Sequence, residues 1–371
     1  MSDSGGVAAA YFIAEDAFGA FLAEMNRGPL LATVAGEDSA RSHYDRVGEA
    51  NLSSVSLRCL PPVESAKPFL FPAKERVAVY PGAPLEPEAG LSDDRPQILL
   101  GLRACDLLAV EIMDRVLREG DFEDPFYAQR RDHTVLISAD CERPDETCFC
   151  NLVGGKPWPD GGFDLSLTPI EGGYVVAIGS QAGKELVLER AHSFKKAAPE
   201  QLRERDRVRA ACMDALEQQN APFKPDRPLE EALAEEGFAD RWLKLAAGCV
   251  ECGGCSYVCP TCHCFLLYDQ IMSGALDQCE RIKAWDSCLM ASFARMAGPP
   301  KAGKVTPRPA LPLRFENRVR HKFEWFTENI GRVGCVGCGR CGNVCLGGRD
   351  IREVIKELGA APRPAESAAS Q

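Results

Sequence analysis

The sequence predicts an α/β N-terminal domain followed by an α-rich C-terminal domain, and three observations carry that reading. Short β-rich runs alternate with helical periodicity up to about residue 182, helical periodicity alone continues to 247, and from 248 a repeated cysteine unit organises the chain. The plan is therefore an α/β domain over 1–182, a helical connector over 183–247 and a cysteine-organised domain over 248–358 with an insertion at 260–334. A disordered tail, small, polar and proline-containing, follows over 359–371.

Each element has its own signal. Residues 8–25 carry apolar side chains at helical spacing and predict an opening helix. Between about 30 and 80, SVSLRCL, FLFP and ERVAVY read as short strands among prolines and glycines. QILLGLR (97–103) reads as a buried strand and DLLAVEIMDRVL (106–117) as the helix after it, with Asp106 its natural N-cap. HTVLISA (133–139) is a further strand. FDLSLTPI and YVVAIGS pair about the turn at Gly172–Gly173. KELVLERAHSFKKA, PEQLRERDRVRAACMDALEQQ and PLEEALAEEGFADRWLKLAAG form the connector's helices, and RDIREVIKEL closes the last domain.

The composition is that of a globular chain: 371 residues, 45% hydrophobic and 26% charged, with a mean hydropathy of −0.18. No apolar run is long enough to predict a membrane-spanning helix. The opening residues MSDSGGVAAAYFIAED show no export signal, so the expected location is the cytoplasm, with no membrane insertion. A net charge of −11 argues against nucleic acid as a partner.

Cysteine is the anomaly: there are 18, and 12 of them lie between Cys249 and Cys345. In a reducing compartment, cysteine at that density points to metal rather than to disulfides. Residues 249–260 (CVECGGCSYVCP) and 335–346 (CVGCGRCGNVCL) are one unit written twice, each spaced C-x2-C-x2-C-x3-C. That spacing is the ligand run of bacterial ferredoxins, in which three cysteines wrap one cluster and the fourth reaches the other. The pattern predicts a bacterial-ferredoxin-like dicluster core with two 4Fe–4S clusters as cofactors. Cys249, Cys252, Cys255 and Cys345 would hold the first, and Cys335, Cys338, Cys341 and Cys259 the second. Zinc is the competing metal, but its ribbons use two separated pairs rather than three close cysteines and a fourth.

These runs, with the TCHCF extension, AWDSC (284–288), RHKF (320–323), GLRACDLLAVEIMDRV (101–116), DPFYAQRRDHTVLIS (124–138) and ETCFC followed by GFDLSLT, resemble the iron–sulfur β subunits of sulfhydrogenases. The chain is similar also to the A subunit of anaerobic sulfite reductase and related dicluster subunits. The resemblance covers about 50–355. Two departures spare the cysteines: Leu346 follows Cys345 where proline is usual, and RACD stands where relatives tend to have RPCD. The resemblance implies electron transfer within a soluble complex of anaerobic metabolism. One neighbour would be a flavin-containing NAD(P)H- or ferredoxin-linked subunit. The catalytic side would be a hydrogenase, a sirohaem reductase or a heterodisulfide-reductase-like subunit.

Several residues are left over. Cys262 and Cys264 flank His263 directly after the first run. With Cys148, Cys150 and Cys288 they form either a hydrogen-bonding lining for the cluster pocket or a further centre. A centre near Cys150, Cys262 and Cys264 would give the chain its own reductase activity toward sulfite or polysulfide. Cys105, ahead of a helix N-terminus, is either a core thiol or an activated one. Cys59, Cys141, Cys212 and Cys279 read as ordinary core or surface residues. The basic stretch RPALPLRFENRVRHKF (308–323) is either a solvated face or a strip that neutralises the clusters or docks an acidic partner. GSQAGKE (179–185) lacks phosphate-loop spacing, and the five histidines (43, 133, 192, 263, 321) are scattered.

Overall fold

The computed structural model describes residues 10–26, 28–36, 41–81, 96–234, 239–272, 274–296 and 306–360. Its strands, in chain order, are β1 (Tyr11–Ala14), β2 (Leu30–Ala35), β3 (Ser42–Arg46), β4 (Lys74–Tyr80), β5 (Gln97–Leu102), β6 (Thr134–Ala139), β7 (Leu165–Ile170), β8 (Gly173–Ile178), β9 (Lys195–Lys196), β10 (Phe265–Met272) and β11 (Ala275–Trp285). Eight of them make one mixed sheet in the order β3-β2-β5-β6-β7-β8-β1-β9. It is parallel from β2 to β7 and antiparallel at both ends. β5, β6 and β7 are buried along their whole length, as central strands covered on both faces must be.

The two faces of this sheet carry separate cores. Ile98 and Leu100 pack with Phe18 and Phe21 on one face, while Leu99 and Leu102 pack with Leu107, Val110 and Met113 on the other. Leu100 and Leu102 would share a face in a regular strand. A register shift between them turns Leu102 over, and Gly101 at the shift has a φ of +89°. A Cβ there would stand 2.3 Å from Thr33 Oγ1, so the bulge needs glycine.

The N-terminal region departs from expectation at several points. The opening helix is confined to Glu15–Met25; Tyr11–Ala14 is β1, drawn into the sheet by pairing with β8 on one side and β9 on the other. SVSLRCL forms no strand and contributes a single bridge, Val34 to Val55. FLFP overlaps the short helix Lys67–Leu70, and β2 and β3 precede the first of the named runs. Lys195–Lys196, read as helical, is the edge strand β9, so the sheet continues past 182. Asp106 is the third residue of the helix Ala104–Leu117, not its cap; its carboxylate accepts from the Arg103 amide at 3.1 Å. The connector supplies the helices Gln181–Glu189, Pro199–Asn220, Leu229–Leu233 and Ala239–Ala246. Beyond Ala360 the expected tail lies outside the described residues.

A second sheet, β10-β11-β4, ties the two halves of the chain together. β10 and β11 form a hairpin within the stretch between the cysteine runs, and β4 comes from the N-terminal half to pair with β11. Lys283 of β11 is buried, bonding Asp124 at 2.6 Å and Glu75 of β4 at 2.8 Å. Glu75 also pairs with Arg130. The strongest link is deeper. Arg340, between two cysteines of the second run, makes a two-pronged ion pair with Asp106 at 2.7 and 3.1 Å, and both side chains are 2% exposed or less. Arg340 also donates to the Pro62 carbonyl at 2.9 Å, and the Tyr44 hydroxyl reaches Asp106 at 3.3 Å. Removing one partner leaves an uncompensated buried charge. Asp106→Ala or Arg340→Ala should therefore each lower stability by about 3–5 kcal/mol. The double variant should lose clearly less than the sum when unfolding is followed by denaturant titration, and strict additivity would show the two side chains to be uncoupled.

Candidate metal centre

The two cysteine runs fold into two copies of one loop. Glu251 (φ 57°) and Gly253 (φ 71°) in the first correspond to Gly337 (φ 65°) and Gly339 (φ 75°) in the second, so each loop takes the left-handed region at the same two positions. Each then enters a one-turn helix, Gly254–Tyr257 or Arg340–Asn343. This curl turns the cysteines of a run inward. The loops differ where they meet the rest of the chain. A Cβ on Gly337 would lie 2.4 Å from the Cys150 Cα, so only glycine lets the second loop approach the TCFC segment. At the matching position Glu251 turns outward and pairs with Arg314.

The thiols sort into two groups of four. Burial raises the pKa of Cys249, and its neighbours Cys255, Cys345 and Cys252 add to that rise. Cys335, pushed up to about 12 by burial, faces Cys259 and Cys338; Cys338 and Cys341 also face Cys259. Cys345 is thus a neighbour of Cys249, and Cys259 of Cys335, Cys338 and Cys341. Among the described residues no three donor side chains converge at single-ion distance. A cubane does not ask for that, because it spreads four thiolates over the corners of a cluster.

Buried cations surround these thiols. Arg314, Arg318 and Lys322 are spaced four apart along one face of Leu311–Arg320 and its π-helical continuation His321–Trp325. All three are buried, so this side of the basic stretch is not a solvated face. Arg318 donates to the Cys255 carbonyl at 3.3 Å and faces the thiols of Cys255, Cys341, Cys262 and Cys259. Lys322 donates to Thr261 Oγ1 at 2.8 Å and to the Gly334 carbonyl at 2.9 Å. Burial opposes the charge of both, yet the neighbouring thiolates hold both pKa values above the ordinary range. Arg320 points elsewhere and pairs with Glu316 and Glu324. Arg318 Nε and Ser256 Oγ are buried without a protein partner, which suits donors aimed at inorganic sulfur.

The five surplus cysteines of the sequence stand in two places. Cys262 donates to Cys259, which that hydrogen bond first, then Lys322 and Arg318, hold well below the usual thiol range. Cys288 similarly donates to Cys264. Lys67 covers this group, bonding the Cys262 carbonyl at 3.1 Å and lying 3.8 Å from the Trp285 ring centre. His263 and His321 pack with Phe326, and burial with Lys322 nearby brings both pKa values to about 4, so they are neutral at pH 7. Cys148 and Cys150 lie elsewhere, with Cys141, which has no motif of its own. Burial and then Asp106 push Cys105 up, the opposite of activation. In GSQAGKE, Ser180 caps a helix by accepting from the Gly183 amide at 3.1 Å.

This double loop with its two thiol quartets defines an iron–sulfur protein of the dicluster kind. Residues 248–348 match the family model for the 4Fe–4S dicluster domain, and two 4Fe–4S clusters are its cofactors. The chain resembles sulfhydrogenase 2 subunit beta of Pyrococcus furiosus: 32% identity over 210 residues, 54% of this chain and 58% of that protein. It thus spans under two thirds of that relative's length. Among the described residues no helix is long and apolar enough to cross a membrane.

The residues fit the clusters, which supply one-electron storage when bound. Two outcomes should follow. Lys322→Met removes a buried positive charge beside Cys259, Cys262 and Cys335, and should lower the midpoint potential of the adjoining cluster in an EPR-monitored titration. The expected shift is about 60 mV, a tenfold change in a one-electron equilibrium. Gly337→Ala, which drives a methyl into Cys150, should lose at least one cluster's iron and sulfide, about four of each. Gly120→Ala, also at positive φ but meeting nothing within 4 Å, should keep it all.

Proposed function

We propose that the chain is an electron-carrying subunit of a multisubunit redox complex, with Cys249, Cys252, Cys255 and Cys345 ligating one cluster and Cys335, Cys338, Cys341 and Cys259 the other. The observation that carries this is the exchange of fourth cysteines: Cys345 stands with the first run and Cys259 with the second. Complete cysteine ligation leaves no open iron position, which suits relay rather than substrate chemistry. Likeness to a sulfhydrogenase β subunit supports a cytoplasmic place between a flavin-containing NAD(P)H- or ferredoxin-linked subunit and a hydrogenase-like or reductase partner.

The two quartets are not equivalent. Cys252 is exposed, and the flanking Val250 and Leu346 are 58% and 80% exposed. The second quartet lies against the α/β domain through Gly337 and Arg340. The first is therefore the end at which a protein partner would exchange electrons. A single catalytic centre shared by Cys150, Cys262 and Cys264 is not favoured, because Cys150 groups with Cys141 and Cys338 whereas Cys262 groups with Cys259.

The ligand exchange gives a sharp test by EPR and iron analysis. Cys345→Ser should delete the same cluster signal as Cys249→Ser, and Cys259→Ser the same signal as Cys335→Ser. Pairing of Cys345→Ser with Cys335→Ser instead would overturn the assignment. For the relay role, an anoxic pull-down should recover a flavin subunit and a catalytic subunit. Val250→Asp with Leu346→Asp should weaken that association about tenfold or more.

A further inference from the structure

Cys105, Cys141, Cys148, Cys150 and Cys212 line one small cavity, which also touches Gly337 and Cys338 of the second loop. They arrive from separate elements. Cys105 opens the helix Ala104–Leu117, Cys141 follows β6, Cys148 and Cys150 belong to the TCFC turn, and Cys212 lies in the middle of the helix Pro199–Asn220. Cys141 is the common neighbour, facing Cys148, Cys150, Cys212 and Cys105, and Cys105 also lies toward Asp106, Arg340 and Cys338.

The walls of the cavity are tied in place. Cys148 is fixed by its carbonyl, which accepts from Gln219 at 2.7 Å and Asn220 at 2.9 Å, and by its amide, which donates to the Asp145 carbonyl. Arg209, one turn before Cys212, pairs with the buried Asp140 beside Cys141 at 2.7 Å. Arg103, 1% exposed, spans four backbone carbonyls, yet its Nε is buried without a partner. Arg103 faces both Cys141 and Cys212. Four thiols with a buried, partly unsatisfied cation suit a thiolate-ligated centre better than an apolar core.

We propose that Cys141, Cys148, Cys150 and Cys212 ligate a third 4Fe–4S cluster, beside the cluster held by the second run. The contact is direct: the Phe149 amide donates to the Gly337 carbonyl at 2.8 Å, and Cys148 Sγ reaches the Cys338 carbonyl at 3.8 Å. On its other side, Cys105 and Cys150 also border an open groove of about 240 Å³ whose rim carries Lys156, Trp158 and Arg332. A cluster here would extend the relay from the exposed first quartet to that groove. The site uses none of the eight run cysteines, so it stands or falls apart from their assignment.

The test is a metal count on the full-length chain, purified without oxygen and reconstituted with ferrous iron and sulfide. About 12 iron and 12 sulfide per chain are expected, four of each per cluster. Cys141→Ala with Cys212→Ala should bring the count to about eight while the EPR signals of the two run clusters persist, which also reports that the variant is folded. Cys150→Ser alone should remove or convert only the third signal. Wild-type protein that saturates at about eight iron, or that holds one zinc at these cysteines, overturns the proposal.

Discussion

The ion pair between Arg340 and Asp106 is the constraint on which the arrangement rests. Arg340 lies inside the second cysteine run, and Asp106 lies in the first turn of a helix that covers the main sheet. Neither charge can reach water, so each holds its place only while the other does. The pair fixes the second loop against the α/β domain to within hydrogen-bond tolerance. Gly337 and Gly339 then allow backbone to meet backbone at Cys150 and Thr147. The cluster loop is thereby built into the larger domain, in contrast to a small ferredoxin joined by a linker.

Charge explains the second layer of the design. Eight thiolates and their inorganic sulfide form a strongly negative region inside a chain whose net charge is already −11. The balancing cations are not spread over the surface. Arg318 and Lys322 reach the thiols from one helix, Lys67 from another segment, and Arg340 from within a run. A buried cation with several thiolate neighbours stabilises added negative charge, which is what reduction brings. The same residues that make the core affordable also set how readily it accepts an electron.

Much of this was legible in the sequence, and the reasons differ by element. The central strands QILLGL and TVLISA were legible as largely apolar runs, and LSLTPI as a β-rich run before the turn at Gly172–Gly173. The cysteine runs were plainer still, since their spacing is fixed by the ligands they present. What stayed hidden depends on contacts between distant segments. Tyr11–Ala14 falls within the apolar spacing of a helix and is a strand because β8 and β9 pair with it on either side. The basic stretch reads as a surface from composition alone, and its inward turn depends on which helix face meets the cysteines. Cys141 and Cys212, 71 positions apart, carry no local motif; only the fold brings them to one cavity.

The three-stranded sheet carries a consequence for the birth of the protein. β4 leaves the ribosome about 185 residues before β10, and among the described residues its strand partner is β11. At about 5–20 residues per second, that edge waits roughly 10–40 s for the hairpin that completes it. The first cysteine run emerges only near the end of this interval, and the second follows about 75 residues after it. On the proposed ligand exchange, insertion of the two run clusters waits until Cys345 is made, and a nascent chain depends on protection of β4 until β11 has emerged.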